Sequence, residues 1–212
     1  GAVLNVKGTE NVRKLQEIAV KETRLGIPLL FGYDVIHGHK TLFPIPLGEA
    51  ASWDLAAIET SARTAAIEAS AAGINWTFAP MVDITRDARW GRVMEGAGED
   101  TYLGTKIGLA RIKGFQGDDL AANNTIIACA KHFAGYGFAE AGRDYNTVDV
   151  GTSTLYNTIL PPFKAAVEAG VQTVMNSFNT LNGVPATGNK WLQRDILKDA
   201  WKFNGFVVSD WG

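Results

Sequence analysis

A single cysteine, Cys129, stands in 212 residues, which excludes an internal disulfide and most zinc arrangements. It lies inside the apolar run "IIACA" and reads as a small core residue. No apolar run approaches the roughly 20 residues that a membrane-spanning helix needs, so no membrane span is expected. Neither sign of charge dominates. Lys and Arg total 20 and Asp and Glu 22, and the net charge of -2 argues against nucleic acid or an anionic membrane surface as the main partner. No strand leads into a Gly-x-Gly-x-x-Gly turn, which weakens a dinucleotide-binding fold; the nearest match, "EGAGED", follows a loop, and no cofactor is expected. The chain opens on "GAVLNV", without an initiator methionine or the basic and apolar regions of a signal peptide, and both ends read as cut.

What is there alternates. Strand-like runs ("AVLNV", "IPLLFGYD", "NWTFAPMVD", "TIIACAKHF", "VQTVMNSF", "GFVVSDWG") are separated by stretches with helical periodicity. The first helix is expected from Thr9 to Leu25, with Val12, Leu15, Ile18 and Leu25 on one face. The second runs from an Asp54 N-cap to Ala72 and closes at Gly73. A third follows Asp100, with Glu99 and Asp100 at its cap, and ends near Gly117. A fourth ends at Ala169 with Pro161-Pro162 at its start or a kink, and a fifth spans Lys190 to Phe203. Apolar strands separated by helices of this length indicate a parallel sheet covered by helices. The expected fold is α/β, a (β/α)8 TIM-barrel-like domain truncated at both ends, since a full barrel needs about 250 residues.

A second regularity concerns chemistry. Strand after strand ends in a polar residue: Asp34, Asp83 with the loop to Arg92, Lys131 and His132, Asn176, and Asp210. In a (β/α)-barrel the carboxyl ends of the strands open onto one face, where active sites are assembled from several strands. Carboxylates, Arg, Lys and His converging on one pocket suit a ligand dense in hydroxyl groups, because a carboxylate accepts from two neighbouring hydroxyls while Arg and Lys donate. Trp211 offers a flat apolar face to a sugar ring, or simply packs in its loop. His37 and His39 are spaced for a metal, as in barrel hydrolases, but the cationic neighbourhood disfavours a divalent ion. No metal is expected, and His37 reads as a hydrogen-bonding residue of its loop.

The blocks "YDVIHGHKTLFPIPLGEAASWD", "FAPMVDITRDARWGRVMEGAGEDTYLG", "KHFAGYGFAEAGRDYNTVD", "VMNSFNTLNGVPAT" and "GFVVSDWG" together resemble glycoside hydrolase family 3, and bacterial β-glucosidases within it. The likeness runs through essentially the whole chain, in order and spacing. It implies that residues 1–212 are a partial (β/α)-barrel catalytic domain, with the acid/base in a second α/β domain outside the chain. It implies Asp210 as the nucleophile of a retaining double displacement on terminal β-D-glucosyl residues, the substrate being a β-glucoside or oligosaccharide. Asp34, Arg92, Lys131 and His132 become ligands of the terminal sugar, with Arg143 and Met175 more loosely matched near the nucleophile. Phe178 stands where some relatives carry a tyrosine that touches the nucleophile. Asp83, Glu95, Glu99 and Asp100 are expected to organise their loop. The resemblance is compatible with a periplasmic or secreted location. The loop after Lys131-His132 contains no further histidine, which favours the glucosidase branch over a β-N-acetylhexosaminidase. A metal-dependent barrel hydrolase using His37 and His39 is the other alternative.

Overall fold

The computed structural model describes residues 1–211. Strands β1 (Ala2–Leu4), β2 (Leu30–Tyr33) and β3 (Trp76–Thr77) form one parallel sheet, in register Ala2 to Leu30 and Gly32 to Trp76. Strands β4 (Cys129–Phe133), β5 (Thr173–Asn176) and β8 (Phe206–Val208) form a second. Between β5 and β8, a small antiparallel pair, β6 (Thr180–Leu181) and β7 (Val184–Pro185), decorates the loop. Parallel bridges from Trp76 to Ile127 and from Met81 to Lys131 join the two sheets, so the order β1-β2-β3-β4-β5-β8 is continuous. Among the described residues the sheet is open, as a truncated domain allows: β1 and β8 each have one unpaired edge, so the α/β class with parallel strands is seen and (β/α)8 closure is not. The reason is arithmetic, since closure of this kind takes eight strands and six parallel ones are here.

Successive side chains of a strand point to opposite faces, and the core divides accordingly. Ala130, Phe133 and Val174 join the large cluster under the helices, with Phe115 and Phe163. Cys129 and Met175 join Trp76 and Phe78 on the other face. The Trp76 indole N–H donates to Thr173 Oγ1 at 3.0 Å, and that hydroxyl donates to the Ala128 carbonyl at 2.8 Å, so the second face is satisfied as well as packed. Burial pushes the Cys129 thiol up to about 12, as befits a core residue.

The helices follow their sequence signals, with departures in the first helix and in two π-helical stretches. Helix α1 (Thr9–Lys21) stops a turn short of Leu25, and its expected apolar face is poorly covered: Ile18 and Leu25 are exposed. Helix α2 (Pro46–Ala50) is short and carries Glu49. Helix α3 (Leu55–Ala71) is capped by Asp54, whose Oδ1 accepts the Ala57 N–H at 3.0 Å. Helix α4 (Thr101–Gln116) is capped by Asp100 through the Leu103 N–H at 2.7 Å. Each such cap is worth about 1 kcal/mol. The short α5 (Thr152–Thr154) runs into a π-helical turn, Leu155–Ile159, and α6 (Pro161–Glu168) then begins with Pro161 at its first position. The last helical stretch, Trp191–Ala200, is also π-helical. No described helix is long and apolar enough to cross a membrane.

Two contacts bind these helices to the site-bearing loops. The Arg111 guanidinium of α4 meets Glu49 of α2 at 2.6 Å, both buried, and also donates to the Ile36 carbonyl in the loop after β2. Helix α3 packs on α4 so closely that a Cβ added at Gly114 would lie 2.5 Å from the Glu59 carbonyl oxygen and 2.6 Å from the Ala62 Cβ. Gly114→Ala is therefore expected to cost about 1–3 kcal/mol through overpacking. Gly151→Ala, with nothing within 4 Å, stays within about 0.5 kcal/mol. Urea unfolding of the two variants measures the difference.

Candidate active site

Four polypeptide segments bring polar side chains to the carboxyl ends of the strands. Asp34 follows β2 directly, and Asp210 lies two residues beyond β8. Arg92 and Glu95 sit on a 3-10 turn (Gly91–Glu95) in the long loop after β3. Lys131 and His132 lie within β4 rather than after it. A regular strand would send those two to opposite faces. The pairing of β4 with β5 is irregular between Ala130 and Phe133, and this bulge turns Lys131 and His132 to the same side while Phe133 returns to the core.

The result is a cavity of about 340 Å³ lined by Asp34, Arg92, Glu95, Lys131 and Asp210, with Ile36, Tyr145, Met175, Phe178 and Trp211 completing its wall. Lys131 Nζ stands 3.6 Å from Asp34 Oδ1 and 3.9 Å from Glu95 Oε2. Arg92 grips Glu95 in bidentate fashion, Nε to Oε1 at 2.7 Å and Nη2 to Oε2 at 3.0 Å. Burial opposes both charges, but the paired hydrogen bonds outweigh it: the Arg92 pKa is raised and the Glu95 carboxyl is held below its usual range. Arg92 Nη2 also donates to His132 Nε2 at 3.1 Å.

His132 is completely buried, its Nδ1 2.9 Å from Asp83 Oδ2 and its Nε2 3.6 Å from Asp210 Oδ2. Burial, reinforced by Lys131 and Arg92, drives the imidazole pKa well below its ordinary value, so the ring is neutral. Asp83 behind it is pushed up to about 7 by burial. Burial also raises the Asp210 carboxyl, while the Trp211 N–H at 2.9 Å, Lys131 and Arg92 act in the opposite direction and favour the carboxylate.

Of the residues named from sequence, Asp34, Arg92, Lys131, Met175, Trp211 and Asp210 line the cavity, and His132 contacts Asp210 from beneath. Trp211 lines the cavity, and its ring also meets Phe78 edge-on at 4.7 Å between centroids. Arg143 is exposed and lies outside the lining; Tyr145, two residues on, takes the place facing the cavity. Asn176 turns away from it, accepting from Gln193 Nε2 at 2.6 Å. Glu95 was expected only to organise its loop, yet it lines the cavity between two cations. Its i,i+3 spacing from Arg92 was the available signal. Glu99 and Asp100 stay at the loop and cap. His37 Nδ1 lies 3.0 Å from the Phe43 carbonyl, and His39 packs on Tyr33; neither faces the cavity. Among the described residues no group of three or more His, Cys, Asp or Glu is placed to hold a metal ion.

A polar cavity at the carboxyl ends of parallel strands, walled by carboxylates and cations, lies where α/β folds place their ligand sites. The comparisons agree: residues 1–212 match the N-terminal domain of glycosyl hydrolase family 3, and the chain belongs to that family. It is 47% identical over its whole length to a periplasmic β-glucosidase of Salmonella typhimurium, of which it covers 28%. A β-xylosidase of Formosa agariphila is 38% identical over 95% of the chain, which covers 30% of that protein. The crystal structure of a mutant β-glucosidase from Listeria innocua in complex with laminaribiose superposes with a TM-score of 0.97 at 48% identity, over all of this chain and 30% of that one. The chain thus spans under a third of these relatives.

The Arg92–Glu95 pair carries a pH signature. The Glu95 pKa is depressed in the folded state, so its contribution is present above the unfolded carboxyl value and is lost as pH falls through the folded one. Glu95→Gln is expected to cost about 1–3 kcal/mol at pH 7, with the gap to wild type closing below about pH 4. Paired denaturation curves across pH 3–7 check this.

Proposed function

We propose that the polypeptide carrying this chain hydrolyses terminal non-reducing β-D-glucosyl residues with retention of configuration, and that Asp210 is its nucleophile. The observation that carries this reading is the position of the Asp210 carboxylate in a small polar cavity, within the field of Lys131 and Arg92 and 3.6 Å from the neutral His132. A nucleophilic carboxylate has to be ionised at working pH, and the two cations favour that state.

In the first step a carboxylate oxygen of Asp210 attacks the anomeric carbon, the glycosidic bond breaks, and a glycosyl ester forms. The departing oxygen takes a proton from a second carboxyl group. In the second step that group removes a proton from water, which attacks the same carbon and frees Asp210. Asp34 accepts hydrogen bonds from sugar hydroxyls, and Lys131 and Arg92 donate to them. The cavity lies at the small end of ligand pockets, the scale of one sugar ring. Trp211 and Phe178 supply apolar wall.

The proton donor is assigned to a residue outside this chain. Glu95 is unsuitable because Arg92 holds it ionised. Asp83 is protonated more readily but is buried behind His132, out of reach of a leaving group. Such donors need a raised pKa and direct access together.

The β-glucosidase relatives, and the laminaribiose bound to the Listeria innocua enzyme, support a glucosidic substrate. In the complete polypeptide, Asp210→Ala is expected to lower kcat on an aryl β-glucoside by roughly 10⁴-fold or more, with azide restoring turnover and yielding the α-glucosyl azide. Loss without azide rescue, or a β-azide product, contradicts the assignment. An aryl β-xyloside run in parallel reports the sugar preference.

A further inference from the structure

We propose that Asp83 is a positioning residue of this site, fixing which nitrogen of His132 faces Asp210 and Arg92. The hydrogen-bond directions leave one arrangement. Arg92 has only donors, so His132 Nε2, 3.1 Å from Arg92 Nη2, accepts and carries no proton. The proton of the neutral ring is then on Nδ1, which donates to Asp83 Oδ2 at 2.9 Å. The same oxygen accepts the His132 backbone N–H at 2.9 Å, so the ring and its peptide are held by one atom. Asp83 is itself anchored: the next residue but one upstream, Met81, bridges to Lys131, and the Val82 N–H donates to the Lys131 carbonyl at 2.8 Å.

The consequence falls on the cavity. With the proton on Nδ1, the Nε2 lone pair seats Arg92 and donates nothing to Asp210. The opposite tautomer would set an N–H against the Arg92 N–H and offer a hydrogen bond to the Asp210 carboxylate, weakening it as a nucleophile. The charged groups that bear on Asp83 are Arg92, Glu95 and Lys131, all of them from the cavity. Tyr136 stacks edge-on to the ring at 5.2 Å between centroids and fixes its plane but leaves its proton free to choose. A buried carboxylate whose single well-placed oxygen binds a site histidine is thus the element that makes the choice.

The part played in turnover rests on the reading of Asp210 given above; the tautomer assignment does not. Both are tested in the complete polypeptide with Asp83→Asn and Asp83→Leu. Asparagine keeps an oxygen where both bonds need one, and leucine keeps the volume without it. Nitrogen-15 NMR of labelled histidine is expected to show His132 with its proton on Nδ1 in wild type and in Asp83→Asn, and a second tautomer in Asp83→Leu. On an aryl β-glucoside, kcat/KM is expected to fall by roughly 10- to 100-fold in folded Asp83→Leu and to be largely rescued in Asp83→Asn. A wild-type proton on Nε2 overturns the proposal. So does folded Asp83→Leu with wild-type kcat/KM, or Asp83→Asn falling as far as leucine. If Asp83→Leu does not fold, the wild-type spectrum and Asp83→Asn decide. A wild-type polypeptide inactive on β-glucosides defeats the functional reading alone, and the spectrum still decides Asp83.

Discussion

Charge that is taken out of water has to find a partner within a few ångströms, and at the carboxyl ends of these strands seven ionisable side chains share one small volume. Arg92 and Lys131 are paired by Glu95 and Asp34, Asp210 lies in their field, and the buried His132 is answered by Asp83. The set stands because no member is left alone. Glu95 is the hinge of it, gripping Arg92 with both oxygens and lying within 3.9 Å of Lys131, so that one carboxylate positions two cations at once. The cations in turn favour an ionised Asp210 against the cost of its burial. Under the proposed function, the charge that a nucleophile at Asp210 needs is favoured by pairings made elsewhere in the cavity.

The fold supplies the precision. The bulge in β4 lets two consecutive residues reach the cavity, and the bridges between the loop after β3 and β4 bring Asp83 beneath them. Below this, the Arg111–Glu49 pair holds the Ile36 carbonyl, and with it the loop that carries Asp34. Replacing such a buried pair by apolar groups often leaves stability unchanged, so its value here is better sought in placing that loop.

Much of this was legible from residues alone. Apolar runs ending in Asp34 and Asp210 marked the cavity because strand ends of a parallel sheet share one face, and Asp54 and Asp100 announced their helices by cap chemistry. Other features were hidden for physical reasons. Alternation along a strand cannot foretell a bulge, so Lys131 and His132 looked like residues after the strand when they lie inside it. Apolar periodicity does not separate i+5 from i+4 hydrogen bonding, which is why Leu155–Ile159 and Trp191–Ala200 read as ordinary helix. Glu95 looked like a loop residue because its worth depends on Lys131, 36 positions away, arriving beside it. Arg143 was matched to the site loosely, by resemblance, and it is exposed outside the lining, where Tyr145 stands at the wall. The repeat of six strand-like runs pointed to part of a (β/α)8 barrel, and the six parallel strands among the described residues form an open sheet.

The central claim is that one carboxylate, Asp210, bonds to the sugar. Treating the complete polypeptide with an activated 2-deoxy-2-fluoro-β-D-glucoside and mapping the labelled peptide by mass spectrometry tests it most directly. The account predicts a single fluoroglucosyl adduct on Asp210, with inactivation that tracks labelling. An adduct on Asp34, Glu95 or any other carboxylate would contradict it.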